Sequence, residues 1–346
     1  MSRECGGCPW IDQELDGQRL RKLDSLRRAF ADLGVTPPEP SFVRAGSDLG
    51  YRNRLRLRID AQGEVVFFNP KKLTSCAVLV PGLAHAVATL QALGPLEGLA
   101  TAEHLELRVG DDGSIGLCMY APSVPTSTVR EALTRALPEG WRVGFAQDAA
   151  LPTLEYFLEE SDAGCFAYSV PLSSFVQVNS AVSRALVAAV RGLVRAAEVG
   201  SFNDLFCGSG NFSLPLLADG LSGASFEVDA HAIAALQRGA AALPGQAALR
   251  HHAEVADARN ITDRLEPREL LLANPPRAGL KLDAKAAPAL ASRATRVIAL
   301  CSCSPSSLAR DLALLLPCGF ELRGLSAFDM FPHTAHLETL AWLERS

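Results

Sequence analysis

In VIALCSCSPSSLARDL, residues 297–312, a short apolar run ends on Cys301-Ser302-Cys303-Ser304-Pro305, and a helical pattern follows. Small Ser residues are natural N-caps, and a Pro just ahead of a helix suits a strand-to-helix change. The pattern sets Cys303 at the carboxyl end of a central strand of an open α/β sheet, where ligands and chemistry gather. A thiolate there could act as a nucleophile. A buried core thiol fits the position equally well, since small buried cysteines are common. Cys301, still inside the apolar run, and Cys207, beneath a glycine-rich turn, are the rival thiols.

A second group of residues reads as a cofactor end. DLFCGSGNF, residues 204–212, closes one predicted strand with glycines at 208 and 210, which let backbone approach a ligand closely. The spacing is not the dinucleotide GxGxxG. About twenty residues on, Glu227 ends the next strand, where a carboxylate can accept both hydroxyls of a ribose. That pair suits S-adenosylmethionine as well as a nucleotide. Asn274-Pro275-Pro276-Arg277 ends a further strand, and its two prolines make a rigid turn that aims a polar side chain over the sheet. Amino-group methyltransferases follow such prolines with an aromatic residue. Here Arg277 follows.

The elements that would carry these residues fall into three parts. Residues 1–40 form an N-terminal cysteine-bearing segment, with Cys5-Gly6-Gly7-Cys8 followed by helical spacing over 12–34. A Cys-x-x-Cys pair is half a metal or cluster site, and Cys76 is the nearest further ligand. Residues 41–170 mix strand-like and helix-like runs with Pro and Gly between them, as in an α+β domain with an antiparallel sheet. Within it, Tyr51–Ile59 alternates strictly, which places Arg52, Arg54, Arg56 and Arg58 on one face; Arg forks onto phosphate, so this is a candidate RNA surface. Residues 171–346 open with helical spacing over 173–197. Strands and helices then alternate, the pattern of a doubly wound parallel sheet with an added antiparallel end.

Composition bounds the class. Net charge is −5, which argues against a globally basic nucleic-acid binder, but the basic residues are front-loaded. Residues 1–72 carry 13 Lys/Arg against 10 Asp/Glu, and residues 73–170 carry 4 against 12. A local patch can bind phosphate on an acidic protein. No apolar run reaches 18 residues, so no membrane partner is expected. The start lacks a signal-peptide core, and nine cysteines in a chain this size suit a reducing compartment, so a cytoplasmic protein is expected.

Five segments in order resemble one family, the S-adenosylmethionine-dependent uracil-C5 RNA methyltransferases of tRNA and 23S rRNA. They are Phe175-Val-Gln177-Val-Asn179, DLFCGSGNF, NPPRAGL (274–280), SCSPSSLARDL (302–312) and Phe328-Asp-Met-Phe-Pro-His333-Thr-Ala-His336-Leu-Glu338. CGGC and Tyr51-Arg52-Asn53 extend the resemblance to the front half. It implies a class I S-adenosylmethionine methyltransferase domain, Rossmann-like and mostly parallel with an antiparallel end, behind an N-terminal α+β RNA-binding domain. Asn274 in place of Asp, DMFPHTAH at 329–336, and the expectation of no N-terminal β-barrel domain bring it closest to the 23S rRNA branch. A tRNA-directed enzyme and a catalytically silent RNA-binding relative are the rivals. A monomer is expected.

Carried over residue by residue, Cys303 matches the nucleophile and Glu338 the base. Gln177, Phe206, Gly208, Asn211, Glu227 and Asn274 match S-adenosylmethionine contacts. Cys5, Cys8 and Cys76 match three of four ligands to a 4Fe-4S cluster; the fourth is expected ahead of Cys5, where this sequence offers no cysteine. The implied chemistry is self-consistent. Uracil C5 is a poor nucleophile until a thiolate adds to C6. After C5 takes a methyl, a base must remove its proton so that the thiol can leave. One Cys and one carboxylate must therefore face the same flipped-out base. Cys303 and Glu338 can meet if the terminal strand runs antiparallel. His333 and His336 read as residues that order Glu338 or contact RNA. His251-His252 with Glu254 does not read as a metal site, and Cys118, Cys165 and Cys318 read as core.

Overall fold

A computed structural model describes residues 6–60, 62–67, 76–95, 102–161 and 164–346. In chain order the elements of the front half are α1 (Leu15–Ala31), β1 (Ser41–Val43), β2 (Arg54–Ile59), β3 (Val65–Phe67), α2 (Pro81–Ala92), β4 (His104–Val109), β5 (Ile115–Tyr120), α3 (Ser127–Ala136), β6 (Arg142–Phe145), β7 (Thr153–Ser161) and β8 (Gly164–Pro171). Then come α4 (Ser180–Ala196), β9 (Ser201–Leu205), α5 (Ser213–Ala218), β10 (Ser222–Glu227), α6 (Ala230–Ala242), β11 (His251–Val255) and β12 (Arg268–Ala273). The chain finishes with α7 (Ala286–Ala291), β13 (Ala294–Ser302), α8 (Pro305–Leu315), β14 (Phe320–Phe328) and β15 (Glu338–Arg345). These elements divide between two compact units, one of residues 1–9 and 46–180, the other of residues 10–45 and 181–346.

The second unit is built on an eight-stranded sheet in the order β1-β14-β15-β13-β12-β9-β10-β11. Strands β11, β10, β9, β12 and β13 are parallel, and β15 runs antiparallel between β13 and β14. This is the class I methyltransferase arrangement. Leu270, Leu271, Leu272 and Ala273 on β12, and Val297 to Cys301 on β13, are all buried, as continuous apolar runs in a sheet covered on both faces must be. The parallel strands point their carboxyl ends to one edge, so Glu227 ends its strand there and Phe206, Asn274 and Cys303 follow theirs.

The expected boundary near residue 40 is not where the chain divides. Helix α1 sends Leu23, Leu26 and Phe30 into the same core as Leu308, Leu312 and Leu315 of α8. Strand β1 pairs in parallel with β14. Residues 10–45 are thus part of the methyltransferase unit, held by apolar burial and an edge-strand ladder that local pattern does not reveal. The helix expected over 173–197 begins only at Ser180. Residues 176–179 lie outside the helix, where Asn53 binds their backbone: its N–H donates to the Val178 carbonyl (2.9 Å), and its side-chain amide donates to the Gln177 carbonyl (3.1 Å).

The first unit holds a five-stranded sheet, β3-β2-β4-β5-β6, with α2 packed over one face through Leu83, Ala86, Val87 and Leu90. It is mixed rather than wholly antiparallel, since β6 returns parallel to β5 after the α3 crossover. The β7–β8 hairpin is a separate two-stranded ladder. A side chain at Gly116 on β5 would strike Leu172 and Leu154, so those leucines seal the sheet there.

Candidate active site

Strand β13 delivers Cys303. Ser304 accepts from the Ser307 N–H (3.4 Å) as N-cap of α8, and Pro305 takes the first helical position, so the strand must stop where the helix starts. Strand β15 delivers Glu338. Its ladder with β13 pairs Ser302 with Thr339 and Cys301 with Leu340. The next step of that register would set Cys303 opposite Glu338. The Thr339 hydroxyl donates to the Ser302 carbonyl (2.8 Å) and pins this end of the ladder.

Burial pushes both groups toward their uncharged forms. Burial pushes the Glu338 carboxyl up to about 8, and Glu338 is 3% exposed. Burial also raises the half-buried Cys303 thiol, Glu338 raises it further, and the Arg277 guanidinium pulls it back. Cys301 and Cys207 are buried, with thiols well above the ordinary range. Of the three thiols, Cys303 is therefore the one placed to ionise and to meet a substrate.

The cofactor end is assembled at the neighbouring strand tips. Phe206 (φ 62°), Gly208 (φ 54°) and Gly210 (φ 98°) take left-handed backbone in succession. A side chain at Gly208 would meet open space, so the turn presents bare backbone to a ligand. Glu227 accepts from the backbone N–H groups of Gly208 (3.2 Å), Val228 (2.7 Å) and Asp229 (3.1 Å), which fixes a half-buried carboxylate beside that turn. The Asn274 N–H donates to the Leu205 carbonyl (3.2 Å), bringing the Asn-Pro-Pro turn alongside. Asn211 accepts from the Ser183 hydroxyl (3.3 Å). A glycine cradle with a carboxylate beside it fits a ligand carrying both a ribose and a charged tail, as S-adenosylmethionine does.

Several residues that support this edge had no role assigned from the sequence. Asp204 is buried beneath the glycine turn with its carboxyl raised to about 7 by burial, and it heads a chain through Ser213 (2.5 Å) and Ser225 to His251. His251 is thereby a half-buried end of this chain, while His252 turns out to Glu254. From α8, the Ser307 hydroxyl donates to the Arg277 carbonyl (2.8 Å), Arg310 donates to the Ala278 carbonyl (2.8 Å), and Asp311 accepts from the Leu280 N–H (2.9 Å). The whole 274–280 turn is thus tied to the helix that begins just after Cys303.

The remaining candidates lie in the first unit. Gln177 is buried. Of the four arginines, only Arg56 and Arg58 are exposed. Arg52 donates to the Arg54 carbonyl (2.9 Å). Arg54 sits 5.2 Å over the ring of Phe175 and 4.0 Å from Glu106. Strict alternation therefore does not make one uniform phosphate-facing stripe, because β4 places Glu106 and Arg108 across from β2. Cys8 and Cys76 are half-buried, and Cys5 lies outside the described residues. Among the described residues, no three Cys, His, Asp or Glu side chains are grouped to hold a metal ion. No helix among them is long and apolar enough to cross a membrane. Cys118 is buried and Cys318 half-buried; the side chain of Cys165 lies outside the described residues.

Comparison with known proteins gives a consistent set. A family model described as tRNA (Uracil-5-)-methyltransferase matches residues 245–346. The 23S rRNA (uracil(1939)-C(5))-methyltransferase RlmD of Halomonas elongata is 30% identical, over 98% of this chain and 74% of that protein. Its counterpart in Cupriavidus necator is 31% identical, over 99% of this chain and 83% of that protein. Among solved structures, the Pyrococcus abyssi tRNA (uracil-54, C5)-methyltransferase in complex with S-adenosyl-L-homocysteine aligns with a TM-score of 0.71 and 22% identity, covering 99% of this chain and 86% of that one. At that identity the last likeness speaks to the fold.

Proposed function

We propose a substrate and a mechanism from one premise: this chain belongs to the family of RNA uracil-C5 methyltransferases, enzymes that depend on S-adenosylmethionine. The substrate we infer is a uridine of 23S rRNA, the RNA named for the relatives that align over nearly the whole chain. The observation that carries the mechanism is the β13–β15 register, which ends with Ser302 opposite Thr339, one residue short of Cys303 and Glu338.

In this reading the Cys303 thiolate adds to C6 of a uracil turned out of the RNA stack, making C5 enolate-like. S-adenosylmethionine, when bound, supplies an electrophilic methyl group for that carbon, held by Phe206, Gly208, Asn211, Glu227 and Asn274, with Gln177 as a further contact. Glu338, in its ionised form, then removes the C5 proton and becomes the neutral acid, and the C–S bond breaks by β-elimination to return Cys303 as thiolate. Arg277 lowers the cost of the thiolate at the start and the end of the cycle. Arg52, Arg54, Arg56 and Arg58 remain candidate RNA contacts, with the exposed Arg56 and Arg58 foremost. Cys5, Cys8 and Cys76 are proposed as ligands of a 4Fe-4S cluster, and iron analysis of anaerobically purified protein tests that. No catalytic step passes through it. The cytoplasm, where 23S rRNA is made, is the proposed compartment.

The test is a trap. A transcript spanning the 23S rRNA segment around uracil 1939, with 5-fluorouridine in place of uridine, should form a denaturation-resistant complex with the protein and S-adenosylmethionine. Fluorine at C5 cannot leave as a proton does, so the adduct persists. Cys303→Ala should abolish it. A complex that survives that change, or forms only with tRNA, would falsify the nucleophile or the substrate respectively.

A further inference from the structure

The connection that leads into Glu338 is held from far away in the chain. Residues 329–337 join β14 to β15 without regular structure. Helix α1 and the turn before it bind this connection at several points. The Gln18 side chain accepts from the His333 N–H (2.8 Å), and its amide lies 3.1 Å from His333 Nδ1. The Trp10 N–H donates to the His333 carbonyl (3.0 Å). The Lys22 ammonium donates to Asp329 (2.5 Å) and to the Phe331 carbonyl (3.0 Å), and Arg44 approaches Asp329 at 3.5 Å.

Gln18 and Lys22 are one helical turn apart on the face of α1 that also carries Leu26, and they are 0% and 1% exposed. Burying an amide and an ammonium is costly unless each finds partners; the Lys22 partners lie at 329 and 331, while Gln18 divides its side chain between His333 and the carbonyls of Trp10 (3.0 Å) and Gln13 (2.9 Å), which ties the turn before α1 to the same connection. His333 has φ 66°, a backbone state that a non-glycine residue keeps only where its surroundings over-determine it. Here Gln18 grips that residue on both its N–H and its ring.

We propose that Gln18 and Lys22 are positioning residues that hold the 329–333 segment and so set Glu338 against the uracil C5 proton. The inference rests on the assignment of Glu338 as the base. Glu338 stands five residues beyond His333, at the first position of β15, so a shift of the held segment shifts the carboxylate. Proton removal is the step most exposed to such a shift, since a displacement of roughly 1 Å in a reacting group can cost about a hundredfold in rate. Addition of Cys303 depends on β13 and α8, which share an apolar core with α1.

Single-turnover reactions with unmethylated 23S rRNA and methyl-labelled S-adenosylmethionine separate the two steps, with wild type, Glu338→Gln and Gln18→Met run together. Amide hydrogen exchange of residues 329–337 is read on the same proteins. Gln18→Met should raise exchange in that segment and slow product release roughly tenfold or more. Label should enter the covalent adduct within about threefold of the wild-type rate, so that the methylated adduct accumulates. General destabilisation would slow both steps together, and that result overturns the proposal. So does unchanged exchange, or raised exchange with release at the wild-type rate while Glu338→Gln accumulates adduct. If Glu338→Gln itself releases product normally, the base assignment fails and the positioning role fails with it, a result distinct from the other two. Should Gln18→Met not fold, Gln18→Glu, which keeps the acceptor for the His333 N–H, serves in its place with release expected nearer wild type than Glu338→Gln; release as slow as that variant overturns the proposal.

Discussion

Ser302 and Thr339 face each other in the antiparallel β13–β15 ladder, and the Thr339 hydroxyl donates to the Ser302 carbonyl at 2.8 Å. One step further along, that register would set a thiol opposite a carboxyl, Cys303 opposite Glu338. The site is therefore a property of strand alignment, and a slip of one residue would part the two groups to opposite faces. Glu338→Gln keeps size and strand while removing the base. It should lower kcat by about 10²–10⁴-fold, the usual weight of a general base. A methylated protein–RNA adduct should persist on denaturing gels. Turnover at the wild-type rate would refute the assignment.

The same carboxyl sets a pH dependence of stability. Glu338 titrates near 4.5 when unfolded and near 8 in the folded protein, because burial disfavours its charge. Between those values the unfolded chain releases a proton that the folded chain keeps. Its contribution to stability is full below about pH 4.5 and is lost as pH rises towards 8. Glu338→Gln should remove that loss and stabilise the protein by roughly 2–5 kcal/mol at pH 8 relative to pH 4.5. Urea unfolding of both proteins across this range measures it. Parallel curves would mean that Glu338 is ionised in the folded state.

Arg277 should be visible in the reactivity of Cys303. Its guanidinium lowers a thiol that burial and Glu338 raise. Arg277→Gln should therefore shift the pH profile of Cys303 alkylation upward and slow iodoacetamide labelling severalfold at pH 8. Peptide mapping separates Cys303 from Cys8, Cys76 and Cys318, the other partly accessible thiols among the described residues. An unchanged profile would remove Arg277 from the site.

Sequence made the strand tips legible because their signals are local. Gly208 and Gly210 take left-handed backbone within one short turn, and Ser304-Pro305 stops a strand and starts a helix within two residues. The antiparallel end was foreseeable, and with it the approach of Glu338 to Cys303. The role of α1 was not. Lys22 pairs with Asp329 across 307 positions, and in the sequence it is one basic residue among several on the helix. Arg54 misleads for the opposite reason. Its alternation is correct, but the partners that engage it, Glu106 and Phe175, come from distant segments.

Asp311 provides the last test, because it ties the Asn-Pro-Pro turn to α8. It is 1% exposed, its carboxyl is raised by burial, and it accepts from the Leu280 N–H. At Gly279 (φ 77°) a side-chain carbon would lie 2.5 Å from that carboxylate, so the turn closes on Asp311 only because residue 279 has none. Asp311→Ala leaves the Leu280 N–H buried without its partner and should cost about 1–3 kcal/mol in urea unfolding. Asp311→Asn keeps an acceptor and sheds a charge that burial disfavours, so it should stay within about 1 kcal/mol of wild type. Gly279→Ala should be at least as damaging as Asp311→Ala, from strained backbone and the clash together. Because the turn carries Asn274, Asp311→Ala and Gly279→Ala should also weaken S-adenosylmethionine binding in calorimetric titration, while Asp311→Asn should not. Loss of binding in Asp311→Asn alone would mean that the carboxylate acts by its charge and not by holding the turn.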